Sequence, residues 1–345
     1  RSTAFPVSML RGATFDTELE EKIGEAIGEE VLAYGGNLFG GVCINLPYNP
    51  GWGRSQETYG EDTFQLGEMG AALVRGVQSK GVMACVKHFA FNQMENARFT
   101  VDITADKRTE REVFLPHFKK TIDAGAACIM SAYNSYQGKL CGHNEYLLNQ
   151  VLKKEWGFDG FIMSDFVWGV KDTIEAVNGG QTMEMPNTKY FGEYLVRAVE
   201  TGEVSEEVID DAALRIVRTV LAFDDGQSKA DRKKVGCREH IELALEAARE
   251  GITLIKNDEM YNAIALAKKA YEYGIDAIIV QDLGLARYMI KNFPGLAVHA
   301  STQMSVHNLE GVLTLQNMGF SRVVLSRELS IQEIEHICKN SNVEI

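Results

Sequence analysis

Apolar residues along this chain follow two spacings in turn. Where they recur three and four apart they predict helices over residues 19–34, 64–80, 110–124 and 144–156. Between these lie short unbroken apolar runs, 37–46, 82–86, 127–131 and 161–163, which read as strands buried on both faces. Helices over 167–177, 191–200 and 205–222 close this part, with a short segment at 180–186 carrying Glu184. Residues 47–53, rich in Pro and Gly, predict a loop.

The pattern breaks near Asp224. Residues 223–234 are polar and charged, as in a linker, and are followed by an Ala/Glu/Leu helix over 239–251 and a short strand over 252–255. Alternation then resumes in a different texture, with helices over 263–273, 285–292, 309–318 and 331–339 and strands over 277–280, 296–300 and 322–325. Such alternation predicts an α/β fold with parallel sheets. The chain opens on Arg1 with residues that already read as a domain interior, and it stops at Val343-Glu-Ile345 as if within a strand. Both ends predict a fragment.

Polar residues recur at the strand ends of the first part. Lys87-His88, Tyr133-Asn134, Ser164-Asp165 and Glu184 each follow an apolar run. Alone, Asp165 reads as the cap of a helix starting near Val167. In a barrel or doubly wound sheet, however, strand ends gather at one face, so four in register predict a shared site.

Charge and composition narrow the function. A net charge of −13 speaks against nucleic acid or an anionic membrane as main partner, since both reward a basic face. No apolar run reaches the length of a membrane span, and no signal segment opens the chain, so a soluble protein is expected. A fragment leaves the compartment open between cytoplasm and a secreted or periplasmic location. The six cysteines show no C-x-x-C pairing, so reduced, structural thiols are expected, with no metal and no cofactor.

Several motifs then carry a resemblance: Thr3-Ala-Phe-Pro6, Gly51-Trp-Gly-Arg54-Ser-Gln-Glu57, Lys87-His-Phe-Ala, Glu95-Asn-Ala-Arg98, Ser131-Ala-Tyr-Asn134, Trp156-Gly-Phe-Asp-Gly-Phe-Ile-Met-Ser-Asp165 and Glu184-Met-Pro186. In order and spacing they resemble glycoside hydrolase family 3, the β-glucosidase family, over roughly residues 1–258. The resemblance implies a (β/α)8-type TIM barrel, incomplete at its N-terminus, that hydrolyses terminal β-D-glycosidic bonds with retention. It makes Asp165 the nucleophile and places Arg54, Lys87, His88 and Tyr133 on the sugar, with Glu95 and Arg98 in support. Its substrates would be small-molecule or oligosaccharide β-glycosides. The family's N-acetylglucosaminidase branch carries K-H-F-P-G-H-G, whereas Lys87-His88-Phe89 continues Ala-Phe-Asn-Gln, which points to glucosidase- or xylosidase-like members. Phe166 stands where the family usually has Trp, and Thr182 where many members have Asp.

The chemistry fits those residue types. A retaining glycosidase needs one ionised carboxylate to attack the anomeric carbon and one protonated acid for the leaving oxygen. Cations beside Asp165 would keep it ionised, and Trp52 or Tyr133 could cover a sugar face. The family's second domain often supplies the acid. Here Glu57, Glu95 and Glu184 are nearby acids with equally good binding or structural roles, so no acid/base residue is assigned.

From Met260 onward, Ile279-Val-Gln-Asp-Leu-Gly-Leu-Ala-Arg287, Val298-His-Ala-Ser-Thr-Gln-Met-Ser-Val-His307 and Phe320-Ser-Arg-Val-Val-Leu325 resemble the collagenase-like peptidase family U32. The implied organisation is a family 3-like barrel over 1–225, a linker with first elements of that family's second domain over 226–258, and a second partial β/α barrel segment over 259–345. His299, Gln303 and His307 follow a strand there, with structural roles favoured. Two further readings remain: a non-catalytic composite of two barrels, and a peptidase-related protein acting through its C-terminal segment.

Overall fold

Alternating side chains build a sheet buried on both faces. The computed structural model describes residues 1–49, 51–224, 230–251, 260–326 and 329–345. Its contacts divide the chain into two units, Arg1–Ile252 and Thr253–Ile345. The strands described in the first are β1 (Leu38–Cys43), β2 (Met83–Phe89), β3 (Asp102–Ile103), β4 (Cys128–Ser131), β5 (Ser135–Tyr136), β6 (Lys139–Leu140) and β7 (Phe161–Met163). Strands β1, β2, β4 and β7 pair in that order, all parallel, and a parallel bridge from Met163 to Met183 continues the pairing. On one face Val42, Ala84, Val86, Ile129 and Ile162 meet the helices. On the other, Met83, Cys85, Cys128, Met130, Phe161 and Met163 form a sulfur-rich interior.

Two long helices cover the sheet. Thr17–Ala33 is capped by Asp16, whose Oδ1 accepts from the backbone N–H of Glu18 and Leu19 at 2.9 Å each. Thr63–Ser79 is capped by Asp62 in the same way. They approach closely because Gly76 has no side chain: a Cβ there would lie 2.0 Å from the Glu21 carbonyl oxygen.

The structure departs from the sequence pattern in several places. Strand β2 runs on to Phe89, because the Lys87 carbonyl accepts from Ile44 N–H at 3.0 Å and the Phe89 carbonyl from Ala132 N–H at 2.8 Å. The helix expected over 110–124 is split; a wide-turned stretch, Glu110–Phe114, gives way at Leu115 to Pro116–Asp123, since Pro116 has no N–H to continue the ladder. The helix expected over 167–177 is Thr173–Gly179, capped by Asp172. A small sheet, β3-β5-β6, lies between the large strands and carries no period strong enough to mark it.

In the second unit, β8 (Ala277–Val280), β9 (Ala297–Ala300) and β10 (Arg322–Val323) form a parallel sheet in the order β10-β9-β8. Helices Leu283–Asn292, Leu309–Met318 and Ile331–Asn340 help bury Val280, Met289, Val298, Val312, Val323 and Ile337. Ser330 and Glu333 close a capping box on the last of these helices. The strand expected over 252–255, and Asp258 and Glu259 at the change of texture, lie outside the described residues.

Candidate active site

Asp165 follows β7 directly and is tied into place by its neighbours. Ser164 N–H donates to the Met183 carbonyl at 2.9 Å, and Ser164 Oγ accepts from Met185 N–H at 2.9 Å. Val167 N–H donates to the Met185 carbonyl at 2.9 Å. These bonds hold Val167 at φ 70°, a costly conformation for a β-branched residue. The chain then folds back on itself: a Cβ on Gly169 would lie 2.4 Å from the Asp165 carbonyl oxygen. The helix cap is Asp172, so Asp165 has no part in it.

Asp165 is buried, its side chain 9% exposed. Oδ1 accepts from Phe166 N–H at 2.8 Å, while Oδ2 has no hydrogen-bond partner. Burial pushes its pKa above the usual aspartate value; the Phe166 N–H, Tyr133, Arg54 and Lys87 oppose that rise without cancelling it. Tyr133 acts by proximity, because its one hydroxyl proton is given to the Phe166 carbonyl at 2.6 Å.

His88 is buried beside it, with Nε2 3.7 Å from Asp165 Oδ2. Burial, then Arg54, Lys87 and Arg98, drive its pKa well below the usual histidine value, so the ring is neutral. Lys87, half-buried, follows Met83 and Cys85 by period 2. Arg54 forks onto Glu57, with Nε and Nη2 each 2.8 Å from a carboxylate oxygen. Burial opposes both charges, yet the pair wins, raising the arginine and lowering the glutamate. Glu95 accepts from Trp52 Nε1 at 3.1 Å and from Arg98 at 2.8 Å, and the Arg98 guanidinium stands 4.8 Å from the Tyr133 ring centre.

Asp165, Arg54, Lys87, His88, Tyr133 and Arg98 therefore share one electrostatic neighbourhood, and Glu95 joins it through Arg98. Trp52 is only 2% exposed, its indole turned to Glu95, so it offers no open face to a sugar. Exposed aromatics in these loops include Phe99, Phe166 and Trp168, with Phe99 and Trp168 edge-to-face at 5.2 Å. Sequence reasoning missed Phe99, an aromatic in an otherwise polar stretch, and Trp168, which stood in the helix expected over 167–177. It also missed Asn45, a lone carboxamide in an apolar run.

None of the three neighbouring acids stands free to deliver a proton. Glu57 is paired with Arg54 and Glu95 with Arg98, while Glu184 Oε2 accepts from Tyr190 and Phe191 N–H at 2.7 and 2.8 Å. Among the described residues, no cluster of three or more His, Cys, Asp or Glu could hold a metal, and no helix is long and apolar enough to cross a membrane. The arrangement holds a carboxylate with one uncommitted oxygen, ringed by cations.

Residues 1–219 match the model of the glycosyl hydrolase family 3 N terminal domain, and residues 252–345 match peptidase family U32. The chain is 37% identical to thermostable beta-glucosidase B of Acetivibrio thermocellus over 262 residues, 75% of this chain and 34% of that protein. It is 35% identical to a beta-glucosidase of Rhizobium radiobacter over 317 residues, 90% of this chain and 37% of that protein. Among solved structures, beta-glucosidase 3B from Thermotoga neapolitana in complex with glycerol superposes with a TM-score of 0.70 at 30% identity, covering 98% of this chain and 46% of that one. DesR, a beta-glucosidase from Streptomyces venezuelae in complex with D-glucose, gives 0.69 at 32% identity over 72% of this chain and 34% of its own. The chain thus spans about a third of the length of these curated relatives. The parallel sheet and the acid at the end of β7 fall within the stretch matched by the first family model, and the chain belongs to glycosyl hydrolase family 3.

Proposed function

We propose that this chain acts as a retaining β-glycosidase of the β-glucosidase type, with Asp165 as nucleophile. The observation that carries the reading is the state of Asp165: a buried carboxylate with Oδ2 uncommitted and Arg54 and Lys87 near enough to favour its charge. Oδ2 forms a bond to the anomeric carbon as the bond from that carbon to the aglycone oxygen breaks. Water then attacks that carbon as its bond to Oδ2 breaks, releases its proton to solvent and restores the configuration. Arg54, Lys87, His88 and Tyr133 bind the sugar, while Glu95 holds Arg98 over the Tyr133 ring. Substrates are small-molecule β-glycosides, in keeping with the glucose and glycerol complexes of the solved relatives. In domain terms, the catalytic barrel spans residues 1–225, a linker with first elements of a second domain follows over 226–258, and a U32-like segment runs from 259 to 345.

Glu57, Glu95 and Glu184 are all engaged, so the leaving oxygen receives no proton from them. Hydrolysis by this chain should therefore favour activated aryl glycosides, whose leaving groups need none. The test is incubation with a 2-deoxy-2-fluoro aryl glucoside followed by mass spectrometry of the peptides. A single glycosyl adduct on Asp165 is expected, together with loss of hydrolysis in Asp165→Asn. Hydrolysis that survived Asp165→Asn would remove the nucleophile assignment. Neither label nor hydrolysis would leave the non-catalytic composite.

A further inference from the structure

The Asn45 carboxamide grips His88 at three points. Its Oδ1 takes the His88 backbone N–H at 2.8 Å, its Nδ2 donates to the His88 carbonyl at 2.8 Å, and Oδ1 lies 3.0 Å from ring Nδ1. The first two bonds are to backbone groups with fixed polarity, so together they fix which end of the carboxamide is oxygen. An oxygen so oriented can meet Nδ1 only as an acceptor, and the neutral ring must then carry its proton on Nδ1. Both residues are 1% exposed, so solvent offers no alternative partner.

We infer that Asn45 is a positioning residue that holds His88 as the Nδ1–H tautomer and so presents Nε2 to the site as a hydrogen-bond acceptor. The 3.7 Å between Nε2 and Asp165 Oδ2 is beyond hydrogen-bond length, as suits two acceptors facing each other. A proton on Nε2 would instead donate to Oδ2 and engage the oxygen that attacks. Lys87 and Arg54 can only donate, so Nε2 gives the site a neutral acceptor for a sugar hydroxyl proton. That last step rests on the glycosidase reading; the tautomer does not.

The test is a long-range proton–nitrogen NMR spectrum of the chain carrying ring-15N histidine, with His88 assigned by comparison with His88→Gln. The expected result is a protonated Nδ1 and a bare, pyridine-type Nε2 on His88, unchanged down to about pH 6. A proton on Nε2, or an imidazolium in that range, overturns the inference. In Asn45→Ala the Nε2–H form should appear, and kcat/KM on an activated aryl glucoside should fall by about 10- to 100-fold, by analogy with removing the hydrogen-bond partners of metal-bound histidines. An unchanged tautomer in a folded Asn45→Ala also counts against it. If that variant does not fold, the wild-type spectrum decides alone. An Nδ1–H spectrum without labelling of Asp165 sinks the functional reading and leaves the tautomer standing; labelling with an Nε2–H spectrum does the reverse.

Discussion

Nε2 of His88 and Oδ2 of Asp165 face each other at 3.7 Å with no hydrogen bond between them. The buried carboxylate therefore gains no hydrogen bond from this imidazole, and burial raises its pKa. The folded chain binds this proton more tightly than the unfolded chain does. The stabilising effect of that proton is complete below the unfolded aspartate pKa and is lost as pH rises through the raised folded value. At neutral pH the charged Asp165 is consequently a liability to stability. Asp165→Asn should raise the melting temperature there by about 2–4 °C, on the order of 1 kcal/mol, while abolishing hydrolysis. Thermal melts at neutral pH and below about pH 4 check this, because the gain should vanish in acid. A variant that melts lower at neutral pH contradicts it.

Lys87 opposes that rise, so Lys87→Met should move Asp165 further up. Methionine keeps much of the stem and removes only the cation. The acidic limb of the kcat/KM profile should shift to higher pH, and kcat/KM should drop about 10- to 100-fold, as for the loss of a charged hydrogen bond. Profiles on an activated aryl glucoside give both numbers. An acidic limb that does not move would show that Lys87 has no hold on Asp165.

Gly169 tests how tightly the Asp165 loop must turn. A methyl there would press on Asp165 at 2.4 Å from its carbonyl oxygen and 2.8 Å from its nitrogen, both rigid backbone atoms. Gly169→Ala should cost about 1–3 kcal/mol and lower kcat by displacing the carboxylate. Gly40, with open space around its would-be Cβ, is the control, and Gly40→Ala should shift stability by about 0.5 kcal/mol or less. Equal effects in urea melts would mean that close approach is not what Gly169 provides.

Much of this was legible in residues 82–89 and 161–165, because a parallel strand buried on both faces is a near-continuous apolar run and any polar residue at its end stands out. The end of β2 was less so: Lys87 and His88 are polar, but tertiary bonds from Ile44 and Asn45 extend the strand through them. The helix expected at Val167 starts at Thr173, because Ser164 and Val167 spend their hydrogen bonds on Met183 and Met185. Asp172, with Glu175 three residues on, carried the true start signal. Asn45 was hidden within the apolar run 37–46, since its task is defined only by a residue 43 positions away.

The thiols divide by burial. Cys43, Cys85, Cys128 and Cys141 are buried, while Cys237 is half-buried and Cys338 exposed. Burial pushes the Cys43 thiol up to about 11 and Cys141 up to about 12, which removes the reactive thiolate at neutral pH. A thiol reagent should modify Cys338 fast, Cys237 more slowly, and the other four only after denaturation. Rapid labelling of Cys43 in the native chain would contradict the packing around Lys87 and Arg54.

Glu30, in the helix Thr17–Ala33, fastens two distant segments of the first unit. Its oxygens accept from Thr3 N–H at 2.9 Å, Thr3 Oγ1 at 2.6 Å, Gly236 N–H at 3.0 Å and His240 Nδ1 at 2.9 Å. Burial works against its charge, but the donors from Thr3, His240 and Gly236 outweigh it and the pKa is lowered. A lowered carboxylate contributes stability that is present above the unfolded glutamate pKa and is lost as pH falls through the folded value. Glu30→Gln puts an N–H₂ where one oxygen accepted and should cost about 2 kcal/mol at neutral pH, with the gap to wild type closing as pH falls below the unfolded glutamate value of about 4. Urea melts at both pH values check it, with His240→Ala as the paired variant. If the two losses add in the double variant, the residues act independently; a smaller combined loss is expected, because each removes the same bond.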